Sequence, residues 1–193
     1  MGYREEETRQ KIFNAAAEKF SDQGADTATM QEIAKAAGVG KGTLYRYFEN
    51  KEDLVSSLVE IGFDRITEWI EAGIKDLEDP VEKLEQAVEI QLEFYNEHRD
   101  FCKFLTRESL GYKDKFKKQI KQIRSTHTVV IEEIIKEGIE AGRFKDRDVE
   151  SAAVALIGAV NITALHWFMF KEEFPVDKIK ENLLDIYFEG MQS

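Results

Sequence analysis

Gly38-Val39-Gly40-Lys41-Gly42-Thr43-Leu44-Tyr45-Arg46-Tyr47-Phe48, followed by Asn50-Lys51-Glu52-Asp53-Leu54, is the stretch that decides how this 193-residue chain is read. With Ala34 upstream, Gly38 and Leu44 stand at the spacing of a helix-turn-helix. A small residue lets two helices approach, a glycine takes the turn, and an apolar residue locks the second helix onto the core. Thr29 and Glu32 have the N-cap and N3 relation of a capping box, which starts a helix with Met30, Ile33, Ala34 and Ala37 on its apolar face. That helix ends at Gly38, and a short one spans 41–47. Asn50, with Asp53 three residues on, caps a long helix carrying Leu54, Val55, Leu58, Ile61, Ile66, Trp69, Ile70 and Leu77, which ends before Pro80.

Outward from this segment the pattern stays helical. Ile12, Phe13, Ala16, Ala17 and Phe20 predict a helix from about Glu5 to Asp22, stopped by Gly24. Further helices are expected at about 81–97, 100–109, 113–141, 147–171 and 176–191, giving nine in all. Two prolines and twelve glycines leave little room for a turn-rich β-protein, while 42% hydrophobic residues suffice for a core. The expected fold is all-α: a three-helix domain with the helix-turn-helix over 1–51 and a larger helical domain over 52–193. Cys102 is the sole cysteine, so no intramolecular disulfide can form. The charged start, Met1 to Glu7, does not read as a signal peptide, and both features fit a cytoplasmic protein.

Residues 151–170 carry no charged side chain and pass for a membrane span by length. Asn161, Thr163 and His166 within them, their many small residues and the hydrophilic remainder of the chain argue instead for a buried helix, covered by a partner chain, and for no membrane association.

The segment from Gly38 to Leu54, with its approach from Thr29 to Ala37, closely resembles the signature of TetR-type (TetR/AcrR) transcriptional regulators. The resemblance covers about residues 8–54. It implies that Thr29, Thr43, Tyr45, Tyr47 and Lys51 hold phosphates of double-stranded DNA, that Lys41 and Gly42 face bases, and that Arg46 lies on the same surface without an assigned role. Physical chemistry agrees: glycines at the start of a recognition helix keep bulk from the groove floor, and a cation in the first turn of the next helix is unfavourable unless an anion binds. Gly40 departs from the hydroxyl residue expected to open the recognition helix, at a cost of only a few tenths of a kcal/mol as a cap.

A reader of DNA needs a body that sets when it reads. In the resembled family that body dimerises, and 147–171 and 176–191 are the segments expected to do so here, as a four-helix interface forming a homodimer. Ala152, Ala155, Gly158, Ala159 and Ile162 offer small-residue spacing, and Ile179, Leu183, Ile186, Tyr187 and Gly190 complete it. A small-molecule effector, apolar or amphipathic, would lie among Phe63, Ile66, Ile70, Phe94, Phe101, Phe104, Ile131, Trp167 and Phe168. Arg107, Glu108, His127, Asn161 and His166 are its candidate polar contacts. For each aromatic the plain reading is packed core. Six basic residues in 113–124 against one acid read as a solvated helix face, or more sharply as a hold for the phosphates of an acyl-coenzyme A.

An enzyme is not expected: none of the three histidines has metal-site spacing, no glycine-rich phosphate loop is present, and Cys102 has no activating partner in sequence. No cofactor or metal is called for. The other class is a helical adaptor that binds only protein, but such an adaptor has no use for Lys41, Tyr45, Tyr47 and Lys51. The reading is thus a ligand-responsive repressor of a palindromic operator.

The net charge of −11 first argues against a nucleic-acid partner. Divided along the chain it does not: residues 1–51 hold eight basic and eight acidic side chains, so 52–193 carry the whole deficit. Within 27–51, four basic against two acidic side chains leave +2 on the segment facing DNA.

Overall fold

The computed structural model describes residues 3–110 and 128–191, and nine helices with no strand occupy them. They are α1 (Tyr3–Gln23), α2 (Met30–Ala36), α3 (Lys41–Tyr47), α4 (Lys51–Ile74), α5 (Pro80–Glu97), α6 (Arg99–Leu110), α7 (128–140), α8 (Val149–Phe170) and α9 (Val176–Met191). The basic run 113–124, Gly111 and His127 lie outside the described residues.

Local chemistry sets the boundaries. Gly24 and Gly38 follow α1 and α2 with φ of 83° and 66°, a left-handed conformation that costs other residues a steric penalty. Asn50 Oδ1 accepts from the Asp53 N–H at 2.8 Å while Asp53 Oδ2 accepts from the Glu49 N–H at 2.9 Å, a reciprocal start for α4. That helix stops earlier than its apolar periodicity suggests: Leu77 lies beyond its end at Ile74, and the Leu77 N–H closes a tight turn on the Ile74 carbonyl at 3.0 Å.

Contacts divide the chain into two compact units, 1–62 with 98–121 and 63–97 with 122–193. In the first, α1 packs on α2 and α6, and α2 on α3. Ile12, Phe20, Ile33, Leu44, Leu54 and Phe104 are sealed from solvent in its core. By contacts α6 therefore belongs with the helix-turn-helix, although it follows α5 in sequence. Phe101 explains the attachment. Its ring lies 5.5 Å from that of Phe13 and so close to Gly62 that a Cβ there would come within 2.0 Å of it.

The second unit packs α5 against α9 and α8, with α8 also against α9. Ile66, Ile70, Leu84, Phe94, Tyr95, Ile135, Ala153 and Val160 form its core. Lys83 pairs with Glu137 at 2.6 Å, Arg143 with Asp79 at 3.0 Å and Lys180 with Glu89 at 2.7 Å. These join segments far apart in sequence, at partly exposed positions where each contributes modestly.

Candidate nucleic-acid interface

Helix α2 is started by the capping box expected from sequence. Thr29 Oγ1 accepts from the Glu32 N–H at 3.2 Å, and Glu32 Oε2 accepts from the Thr29 N–H at 2.9 Å and the Thr29 hydroxyl at 2.7 Å. These bonds from Thr29, the hydroxyl first, hold the Glu32 carboxyl below its usual pKa. The Thr29 hydroxyl is thus already committed within the chain.

Helix α3 begins at Gly40 with no side-chain cap, consistent with the missing hydroxyl. Leu44 is sealed in the core and Phe48 is buried, which leaves Lys41, Gly42, Tyr45 and Arg46 exposed and Thr43 and Tyr47 half-buried. Lys41 Nζ stands 5.8 Å from the centre of the Tyr45 ring, and the Arg46 guanidinium 5.4 Å from that of Tyr47. Each tyrosine therefore carries a cation against its ring.

Lys51 has partners that sequence did not suggest. Its Nζ donates to the carbonyl oxygens of Asp26 at 2.6 Å and Ala28 at 3.1 Å, tying the start of α4 to the loop before α2. The cation at a helix N-terminus is thus answered inside the chain by carbonyl dipoles, without need of a bound anion. An ammonium has three donors, so these two bonds use two of them.

Of the effector candidates, Phe63, Ile66, Ile70, Phe94 and Ile131 are buried in the second unit, where Trp167 and Phe168 are half-buried, Asn161 is partly buried and His166 is exposed. Phe101 and Phe104 lie in the first unit, Phe104 against Phe20 at 5.4 Å. The side chains of Arg107 and Glu108, and all of His127, lie outside what is described. Asn161 is not isolated: its Oδ1 accepts from the Tyr95 hydroxyl at 2.8 Å and from Gln91 Nε2 at 3.1 Å, and Gln91 Nε2 also reaches the Tyr95 oxygen at 3.1 Å. Gln91 and Tyr95 escaped the sequence reading because nothing near them in the chain singles them out as a polar pair. Their i, i+4 spacing marks a shared helix face, but nothing in it points to a residue on α8.

Among the described residues, α8 is buried along one side. Ala152, Ala153, Leu156, Ile157, Val160 and Ala164 are buried, with the Tyr187 hydroxyl donating to the Ala152 carbonyl at 3.2 Å. Val154, Ala155, Ala159, Ile162, His166, Met169 and Phe170 are exposed, and on α9 Ile186 is 74% exposed. Relative to the sequence expectation, Ala152 of α8 and Ile179 of α9 lie on the covered side, and Met169 and Phe170 join the open one. By length and composition α8 could cross a membrane, yet its two faces differ as those of a helix between a core and a partner do.

Comparison with known proteins gives two family matches. Residues 12–58 match the model of bacterial regulatory proteins of the tetR family, and residues 77–191 that of tetracyclin repressor-like C-terminal domains. The fatty acid metabolism regulator protein of Bacillus subtilis is 26% identical over 184 residues, covering 95% of each chain. The crystal structure of FadR from Bacillus subtilis in complex with stearoyl-CoA is similar with a TM-score of 0.85 at 26% identity, covering 94% of this chain and 98% of that one. A fatty acid degradation regulator FadR from Bacillus halodurans shares the fold with a TM-score of 0.87 at 24% identity, over 95% of each chain.

Proposed function

Because the chain belongs to the tetR family of bacterial regulatory proteins and is a ligand-responsive, DNA-binding transcriptional regulator, we propose that it is a cytoplasmic repressor whose homodimer leaves a palindromic operator when a long-chain fatty acyl-CoA binds. In this reading residues 1–51 are the DNA-binding domain and 52–193 the effector and dimerisation domain. Lys41 and Gly42 face bases, Thr29, Thr43, Tyr45, Tyr47 and Lys51 meet phosphates, and Arg46 lies beside them. The exposed cations of α3 and its tyrosines support this assignment.

The stearoyl-CoA complex of the Bacillus subtilis relative is the observation that carries the effector class. It agrees with the composition of this chain, which has a strongly apolar second unit and six basic residues in 113–124. Phe63, Ile66, Ile70, Phe94, Ile131 and Trp167, all of the second unit, would flank the acyl chain, with Asn161 as a polar contact. The open faces of α8 and α9 support a homodimer through 147–171 and 176–191, because an exposed apolar stripe of this kind is unfavourable in water. A two-fold dimer reads half-sites about 34–36 Å apart, so a small change between protomers breaks the register. Repression is the simplest output of a small dimer that covers DNA.

Titration of the purified protein with stearoyl-CoA, stearate and coenzyme A, followed by tryptophan fluorescence and by release of a bound labelled duplex, tests the reading. Saturable binding and release with stearoyl-CoA alone is the expected outcome. Absence of saturable stearoyl-CoA binding by the duplex-binding protein overturns the effector class.

A further inference from the structure

Arg9 lies on α1, outside the helix-turn-helix, yet its guanidinium carbon stands 5.7 Å from the centre of the Tyr47 ring at the end of α3. The Arg46 guanidinium lies 5.4 Å from the same centre. Two cations thus share one aromatic ring. Arg9 is half-buried, its Nε is buried without a hydrogen-bond partner, and among the described residues no carboxylate pairs with it. An arginine held only for stability is normally paired with an acid or a row of carbonyls, because desolvating a guanidinium without such a partner is costly. Here the cation lies over an aromatic ring, and among the described residues no acid answers its charge. Two like charges beside one ring repel, and an anion at their outer edge relieves that repulsion while accepting from forked N–H donors.

We propose that Arg9 is a DNA-contacting residue, whose guanidinium acts beside Arg46 at the Tyr47 ring to hold phosphate of the duplex. The proposal rests on the duplex-binding reading and adds to it a residue from a different helix. It raises the charge of the DNA-facing group from +2 within 27–51 to +3, which matters in a chain of net charge −11. It also gives the tyrosine a fixed orientation before DNA arrives, so less ordering remains to be done on binding.

The experiment compares wild type, Arg9→Gln and Arg9→Lys on two probes, a labelled duplex selected by the wild-type protein from a random pool and the unselected pool itself. Affinity is read by anisotropy across a salt series, and each free protein's melting temperature is read in parallel. Arg9→Gln is expected to weaken binding to both probes roughly three- to tenfold. It should also lower the slope of log Kd against log salt by about two, since each phosphate contact contributes about 0.9 and a dimer loses two. Arg9→Lys should keep the slope and lose part of the affinity, because the charge remains while the forked guanidinium donors do not. A wild-type slope in Arg9→Gln, or a lowered one in Arg9→Lys, overturns the proposal by showing that Arg9 only props Tyr47. Failure of the wild type to bind either probe would instead overturn the duplex-binding reading.

Discussion

Replacing Lys51 by Met keeps the length of the side chain and removes the ammonium, which separates two roles that the structure places on one atom. Nζ bonds the Asp26 and Ala28 carbonyls at 2.6 and 3.1 Å, the first exposed to solvent and the second partly buried. Charge-assisted bonds contribute about 1.5–3 kcal/mol each when shielded and less in water, so their joint loss should cost about 1–2 kcal/mol. For a chain of this size that is a fall of roughly 2–8 °C in Tm. If the third N–H of Lys51 also meets a phosphate, the slope of log Kd against log salt falls by about two for the dimer, between about 50 and 200 mM salt. Calorimetry of the free protein and anisotropy with a selected duplex read the two effects independently. An unchanged Tm would refute the carbonyl clasp. A lowered Tm with an unchanged salt slope would refute the phosphate contact and leave Lys51 as a residue that only positions α2.

Gly62→Ala forces a methyl into the Phe101 ring, where a Cβ has 2.0 Å. Overpacking of about 1–3 kcal/mol should outweigh the helix-propensity gain of about 1 kcal/mol, whereas in a Phe101→Leu background the same change should turn neutral or stabilising, as a double-mutant cycle by chemical denaturation will show. Ile162, 49% exposed on the open face of α8, changed to Glu should shift the protein from dimer to monomer in sedimentation velocity without unfolding it. A dimer that persists unchanged would move the interface elsewhere. Burial pushes the Cys102 thiol up to about 12, so at pH 8 it should resist maleimide in the native protein and react once denatured. Rapid native labelling would contradict its packing.

Much of the first unit was legible in sequence because its determinants are local. Thr29 caps α2 through a residue three positions away, Gly38 turns because of its own φ, and Asn50 with Asp53 starts α4 within a few residues. Short-range geometry of this kind is fixed by chain connectivity, so residue types and spacing suffice to state it. Sequence likewise fixed that 151–170 is uncharged and that the acidic excess lies beyond residue 51.

Tertiary structure decided what those pieces meet. It turned Lys51 toward two carbonyls more than twenty positions earlier, brought Arg9 onto Tyr47, and set Asn161 against Gln91 and Tyr95. It also placed Phe101 and Phe104 with α1 and chose which side of α8 is left open. These outcomes depend on how helices pack, and packing is settled by the shape and volume of side chains from distant segments together. A helical pattern says that a face will be buried; only the packed chain says against which neighbour, and which charges are left facing outward.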